Sequence, residues 1–519
     1  MNKKDNGGLS VLICGRSVPA HITAALMGAF ICGLLAHAMA FFNKYSIHED
    51  ISQLFGVGAT YTSGRWMLDI LHRLEVFLLG GSYSLPLLNG LVSVSYIAVS
   101  ACLLVELLQI KKPLLAFAVG GAMVTTPSLA GLFGYMFTAP HYMLGLLFTV
   151  TGCYLLCKWR KWYVFIPACL LIAAAVGIYQ ANIAIALSVL LLAFVHRTVA
   201  AEAVPWRKYL TDIAYFVAAC LCFALLYFVI NKLYLQVMNA VLSDYQGIDQ
   251  AGKLPVTTYL RRALYAFKMM FLPNDAGSDF MYPFGMIWLY RGMLLLVGTG
   301  MVCLLCTQRK YGISKLIQIT LPLAALPVAI NFIYVMCDAG TVHSLMVYSH
   351  TLCFVFALWL SGILWQYKNR FFRTLCAVTC CGALLFSALY IRVDNICYLK
   401  ADIVQQQCIS YFTSMRTRIQ STPGYRDDMQ VAYVGFYNKD ADDSLMASPF
   451  PEELSIIPYK DAWGIINGFA ALSFIENRTG FAPDLNHTFA SHPEVKEMPC
   501  YPDEGSIKII DDVLVIKFG

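Results

Sequence analysis

Long apolar runs alternate with short polar connectors from about residue 21 to residue 391. Each run is near the ~20 residues that a helix needs to cross a bilayer core. The pattern predicts a first helix over about His21–Phe42 and ten more. These cover Leu85–Leu108, Leu114–Tyr135, Thr138–Cys157, Trp162–Tyr179, Ala181–His196, Leu210–Gln236, Pro283–Cys306, Leu316–Met336, Ser344–Trp365 and Phe371–Ile391. Lys3, Lys4 and Arg16 precede the first run and no small-residue cleavage site follows it, so it reads as a retained helix with its N-terminus in the cytoplasm. Eleven spans make an α-helical, polytopic membrane protein.

Two stretches break that rhythm. In the connector 45–83, Leu54, Phe55, Val57, Trp66, Met67, Ile70, Leu71 and Leu74 recur at roughly helical spacing among polar residues. This is the pattern of helices lying in the membrane interface with apolar faces down. After Ile391 the apolar runs stop. An amphipathic helix is predicted from about Tyr398 to Gln420, ended by Pro423-Gly424. A strand over Gln430–Tyr437 follows, then a turn at Pro502–Gly505 and a closing hairpin with Asp511-Asp512 at its tip. Residues 392–519 therefore read as a separate soluble α/β domain, and 1–391 as the membrane domain.

Composition agrees. The chain is 59% hydrophobic and 13% charged, against about 25% charged in soluble domains. Charge divides the two parts: residues 1–391 carry 26 Lys/Arg and 13 Asp/Glu, a net of +13, and residues 392–519 carry 11 and 18, a net of −7. The basic residues cluster in alternate loops: Lys111-Lys112, Lys158/Arg160/Lys161, Arg197/Arg207/Lys208, Arg309/Lys310/Lys315 and Lys368/Arg370/Arg373. That is the signature of the cytoplasmic side, and it accounts for the positive balance with no nucleic-acid partner. With eleven spans the C-terminal domain is then expected outside. The 18 cysteines are scattered, mostly within apolar runs, where they read as packing residues; Cys397, Cys408 and Cys500 of the soluble domain form no complete disulfide framework.

On this topology Glu49, Asp50, Asp69, Glu75, Asp244, Asp249, Asp275, Asp279 and Asp338 lie outside. Adjacent carboxylates just beyond a first span, followed by Arg65 and Trp66, suit sugar transfer at a membrane surface. One carboxylate can take the proton of an attacking hydroxyl, and an arginine can hold a lipid-linked phosphate. Asp69 stands four residues from both Arg65 and Arg73, the spacing of a helix ion-pair ladder. Arg261-Arg262 and Lys268 in the long outer connector fit phosphate or anionic headgroups. Tyr179 and Gln180, in the uncharged Gly177–Asn182 interruption, could meet sugar hydroxyls or form a tight helical hairpin. Asp338 and His343 in the connector 337–343 could assist a site or cap helix ends. No phosphate-binding loop, dinucleotide fingerprint or nucleophile elbow is present.

The Glu49-Asp50 pair followed by Gly64-Arg65-Trp66, the Gly177–Ala181 segment GIYQA, the Ala401–Gln407 segment ADIVQQQ and the tail Met498–Ile510 together resemble the bacterial type II glucosyltransferase family, known for serotype conversion of O-antigen. The likeness runs from about Tyr45 to the C-terminus. It implies a GT-C type fold whose first outer loop supplies the catalytic acid. It also implies a polyprenyl-phosphate sugar donor, undecaprenyl-phosphate glucose, and an exported glycan acceptor. On this resemblance Asp50 is the favoured base, Glu49 its neighbour or alternate, Arg65 a donor-phosphate ligand, and Trp66 an interface anchor or stacking surface. This chain has Glu-Asp where two aspartates are expected. A sugar on a lipid phosphate already carries a good leaving group, so no cofactor is required. A divalent cation could assist the phosphate, but no ligand cluster demands one. The competing readings are a transporter or flippase of lipid-linked sugars, which midplane charges would favour, and a non-catalytic membrane anchor.

Overall fold

The computed structural model describes residues 10–13, 16–45, 49–52, 61–244, 253–273, 281–435, 469–481 and 487–518. Leu54, Phe55, Val57, Asp249, Asp275 and Asp279 lie outside the described residues. In chain order, strands β1 (Ser10–Ile13) and β2 (Arg16–Pro19) pair as a hairpin before α1 (Ala20–Phe42). There follow α2 (Glu49–Ser52), α3 (Trp66–Leu79), α4 (Pro86–Leu107), α5 (Pro113–Val124), α6 (Pro127–Phe133), α7 (Ala139–Lys158), α8 (Trp162–Ile178), α9 (Asn182–Ala200) and α10 (Trp206–Val237). Next come α11 (Val256–Phe271), α12 (Met286–Gln308), α13 (Ile313–Ile330), α14 (Ile333–Met336), α15 (Leu352–Leu364), α16 (Arg370–Gln420), β3 (Gln430–Val434), α17 (Phe469–Thr479), β4 (Ile507–Ile510) and β5 (Val513–Lys517).

Among the described residues nine helices are long and apolar enough to cross a membrane, and ten if α5 and α6 count as one bent span. The eleventh expected segment is α8, apolar but only 17 residues long. The chain is a polytopic helical protein. It divides into two compact units, the first Met1–Phe42 with Phe55–Asn395, the second Asn43–Leu54 with Ile396–Gly519.

In the first unit α1 packs on α4 and α5, α7 on α4 and α8, and α9 on α13. In a bilayer such contacts rest on close van der Waals fit between small residues. The α1–α5 crossing shows this. A Cβ on Gly28 would stand 2.1 Å from the Phe117 carbonyl oxygen, and one on Gly120 would stand 2.1 Å from that of Ala25. Gly120→Val is expected to cost about 1–3 kcal/mol through overpacking, read as a lower unfolding midpoint of the purified protein. An unchanged midpoint would show that these helices can move apart.

The expected single span Leu114–Tyr135 is bent by 45° between α5 and α6. Pro127 has no N–H to continue the ladder. The carbonyls that end α5 find side chains instead: Thr351 donates to Ala122 (2.9 Å), Tyr348 to Met123 (2.6 Å), and His37 Nε2 lies 2.6 Å from the Val124 oxygen. Away from water such groups need internal partners, and these three residues make the break tolerable.

The second unit is built on the C-terminal part of α16. Val404, Cys408, Phe412, Met415 and Ile419 form one helix face, packed with Val431, Tyr433, Leu514 and Ile516 of the sheet and Phe474 of α17. The sheet order is β3-β5-β4, with β3 parallel to β5 and β4 antiparallel to it. Alternate strand residues, Ala432, Val434, Val513 and Val515, pack on the opposite face with Val495 and Met498, as a period of two requires. Asp511 and Asp512 both have positive φ (50° and 61°), the twist that a two-residue hairpin turn needs. The boundary expected between 391 and 392 lies inside α16, which is one helix of 51 residues. Ile51 is 1% exposed in the core of this unit, and that burial is why 43–54 groups here and not with residues 1–391.

Candidate active site

The loop 61–65 of the first unit is pinned at its backbone. Gln180 Nε2 donates to the Ser63 carbonyl (2.7 Å), Tyr227 donates to that of Gly64 (3.1 Å), and the Ser243 amide donates to that of Thr62 (2.8 Å). Gly64, at φ 78°, turns the chain into α3. Arg65 then leaves the loop half-buried, donating to the Tyr142 hydroxyl (3.2 Å) and lying 5.4 Å from the centre of the Tyr179 ring. Tyr142 and Tyr179 stack 4.5 Å apart at 12°. The guanidinium is thus held at the edge of an aromatic pair, a setting that suits its weakly hydrated, planar cation. Trp66 is buried against α8, where a Cβ on Gly177 would come within 2.5 Å of the indole ring.

Arg65, Tyr179 and Gln180 border a cavity of about 560 Å³. The rest of its wall is almost wholly apolar and comes mainly from α9, α10, α14 and the residues flanking them, with Ser63, Tyr259 of α11 and Met346 of the 3₁₀ helix Ser344–Thr351. Such a space, apolar with a few polar groups at one side, is typical of small-molecule sites.

The adjacent arginines of α11 diverge, as neighbours on a helix do. Arg261 is exposed, whereas Arg262 donates to the Met336 carbonyl (3.2 Å) and pairs with Asp338 (3.6 Å). Met336 and Cys337 line the cavity, so Arg262 stands behind its wall. Asp338 also accepts from the Gly340 amide at the start of a 3₁₀ turn, and His343 caps the 3₁₀ helix Ser344–Thr351. Both residues do the capping work that the sequence left as one of two readings.

The acidic pair belongs to the second unit. Glu49 is exposed and Asp50 is 1% exposed. Asp50 forms an ion pair with Lys44, whose ammonium also donates to the Tyr45 carbonyl (3.2 Å). Arg478 of α17 donates to the Lys44 carbonyl and lies 3.3 Å from Gln405 Oε1. Asn477 donates to the Ile51 carbonyl (3.3 Å). Burial and the Arg478 guanidinium push the Lys44 ammonium down to about 7. A lysine whose charged form is disfavoured can trade protons near neutrality.

Sequence reasoning missed Lys44. It follows the first apolar helix by two residues, in a connector expected on the cation-poor side, and that exception was its signal. Tyr142 was missed because nothing in an apolar run marks one tyrosine among thirty. A third cluster also went unread. Glu75 of α3 lies 3.0 Å from His141 Nε2 and accepts from Ser82, which lies 3.2 Å from His72 Nδ1. Burial works against the Glu75 carboxylate, but the hydrogen bonds and charge from His141, with that of Ser82, leave it below the ordinary range. Asp69 accepts from Arg73 (2.7 Å), the second rung of the expected ladder, and from Tyr234 of α10 (2.6 Å).

Among the described residues no three His, Cys, Asp or Glu side chains gather as metal ligands. No curated protein and no solved structure matches the chain. A family model described as glucosyl transferase GtrII matches residues 38–356, more than half of its length. That stretch holds Lys44, Asp50, Arg65, the stacked tyrosines and the cavity wall, and by this match the chain belongs to the GtrII glucosyl transferase family.

Proposed function

We propose that this glucosyl transferase takes glucose from a polyprenyl-phosphate donor and passes it to an exported cell-surface glycan, in the manner of GT-C enzymes. The observation that carries this reading is the apolar cavity bordered by Arg65: an isoprenoid chain suits its wall and a phosphate suits the guanidinium. Trp66 and Gln180 hold Arg65 in place through Gly177 and Ser63. Asp50 is the base and Glu49 its exposed neighbour. The acceptor oxygen bonds to the anomeric carbon as the bond from that carbon to the phosphate oxygen breaks. The acceptor proton goes to Asp50, and polyprenyl phosphate leaves with the bonding pair. Direct displacement inverts the anomeric centre. Alignment of the two substrates and stabilisation of the departing phosphate supply most of the rate.

The test is to reconstitute the full chain in vesicles with polyprenyl-phosphate glucose and an O-antigen glycan. Glucosylated glycan and free polyprenyl phosphate should form together, and nucleotide-linked glucose alone should give neither. Transfer from the nucleotide sugar would overturn the donor assignment. The charge pattern supports transfer on the side opposite the basic loops, in the cytoplasmic membrane of a bacterium. A reporter fused after Gly519 should read the outer side, and a cytoplasmic signal would reject that placement.

A further inference from the structure

The ion pair at Asp50 poses a chemical problem for its role as base. A carboxylate already held by an ammonium is a poor proton acceptor, because the cation stabilises its ionised form. Asp50 is almost wholly buried and Lys44 is its partner. The backbone on both sides is fixed by α17, through Arg478 on the Lys44 carbonyl and Asn477 on the Ile51 carbonyl. The pair is therefore built into the unit and does not depend on two long surface side chains meeting by chance.

We propose that Lys44 is the positioning residue of the transfer reaction, holding Asp50 in place and taking onward the proton that Asp50 removes from the acceptor hydroxyl. This rests on the assignment of Asp50 as base. Lys44 enters the step as the neutral amine, its proton having gone to water. As the acceptor oxygen joins the anomeric carbon and polyprenyl phosphate departs, the hydroxyl proton moves to Asp50 and then to Lys44 Nζ. The ammonium returns it to solvent before the next turnover. Lys44 is suited to this cycle because burial and Arg478 favour its neutral form near pH 7. Asp50 of α2, whose charge favours the ammonium, and Arg478 of α17, whose charge opposes it, both act on Lys44, with Gln405 of α16 bonded to Arg478. Asp402 of α16 acts on the adjoining Tyr45, and Glu49 is exposed.

The experiment measures kcat and donor KM against pH for the reconstituted full chain, as wild type, Lys44→Arg and Lys44→Gln. The wild type should lose kcat as pH falls through about 7, the value for the Lys44 ammonium. Lys44→Arg keeps a proton at every accessible pH, so kcat should fall about 10²-fold throughout with donor KM within about twofold. Lys44→Gln should lower kcat and move the acid limb down toward the ordinary carboxylate range. Absence of an acid limb near 7 in the wild type overturns the proposal, and that reading needs no variant to fold. A wild-type rate in Lys44→Arg, or an unmoved limb in Lys44→Gln, overturns it as well. Asp50→Asn separates the two ideas. If it is inactive while the Lys44 variants behave as wild type, only the role of Lys44 fails. If it transfers at the wild-type rate, the base assignment itself fails.

Discussion

Asp50→Asn is expected to lower the rate of glucosyl transfer about 10²–10⁴-fold, the usual contribution of a general base, with donor affinity little changed. The substitution keeps the size and polarity of the side chain and removes its ability to take a proton. It also leaves Lys44 half-buried opposite a neutral amide, so folded protein must be quantified alongside the rate. Glu49→Gln is expected to cost much less, because Glu49 is exposed while Asp50 is enclosed. Neighbours on a helical turn point about 100° apart, so the two carboxylates cannot share one role. Turnover and donor binding measured at equal amounts of folded protein decide the matter. Near-normal turnover in Asp50→Asn with collapse in Glu49→Gln would exchange the two assignments.

The second large effect is expected at Arg65. Charge-assisted hydrogen bonds contribute about 1.5–3 kcal/mol each, so Arg65→Ala should lower kcat/KM for the donor roughly 10–150-fold. Arg65→Lys keeps the charge but not the planar fork that reaches Tyr142 and faces the Tyr179 ring. It should recover only part of the loss. The effect should appear mainly in donor KM, because the proposed contact exists before the bond breaks as well as during it. Wild-type donor kinetics in both variants would reduce Arg65 to a structural tie between the start of α3 and Tyr142 of α7.

Much of the fold can be read from hydropathy. Every expected apolar run falls on helical structure, although Leu114–Tyr135 is broken into α5 and α6, because length and the absence of charge are local properties that burial in lipid imposes directly. The closing hairpin is equally legible, since Asp511-Asp512 between alternating strands is a local turn signal. What the pattern conceals depends on distant partners. The kink before Pro127 is suggested by proline, but His37, Tyr348 and Thr351, which satisfy it, come from other helices. The continuity of α16 is hidden because its apolar stretch and its amphipathic stretch differ in period and composition while sharing one backbone. At the site, the sequence offers Arg65-Trp66 and Tyr179-Gln180 as two separate stretches, and the fold brings them together. Their division of labour is not legible: Gln180 and Trp66 fix the loop, and Tyr142 supplies a contact that only packing creates. Glu49 and Asp50 look like the start of a membrane loop, yet the side chain of Ile51 assigns them to the C-terminal unit.

That last grouping bears on how the protein is made. Asn477 and Ile51 are 426 residues apart in the chain. At about 5–20 residues per second, a ribosome needs roughly 20–85 s to supply the second partner after the first has emerged. Until α16, α17 and the closing strands have emerged, the segment 43–54 has no complete core to join, and contacts so distant in sequence form late. Activity should therefore arise only after the last strand is released, and a nascent chain stalled before residue 470 should carry every apolar helix and still transfer no sugar.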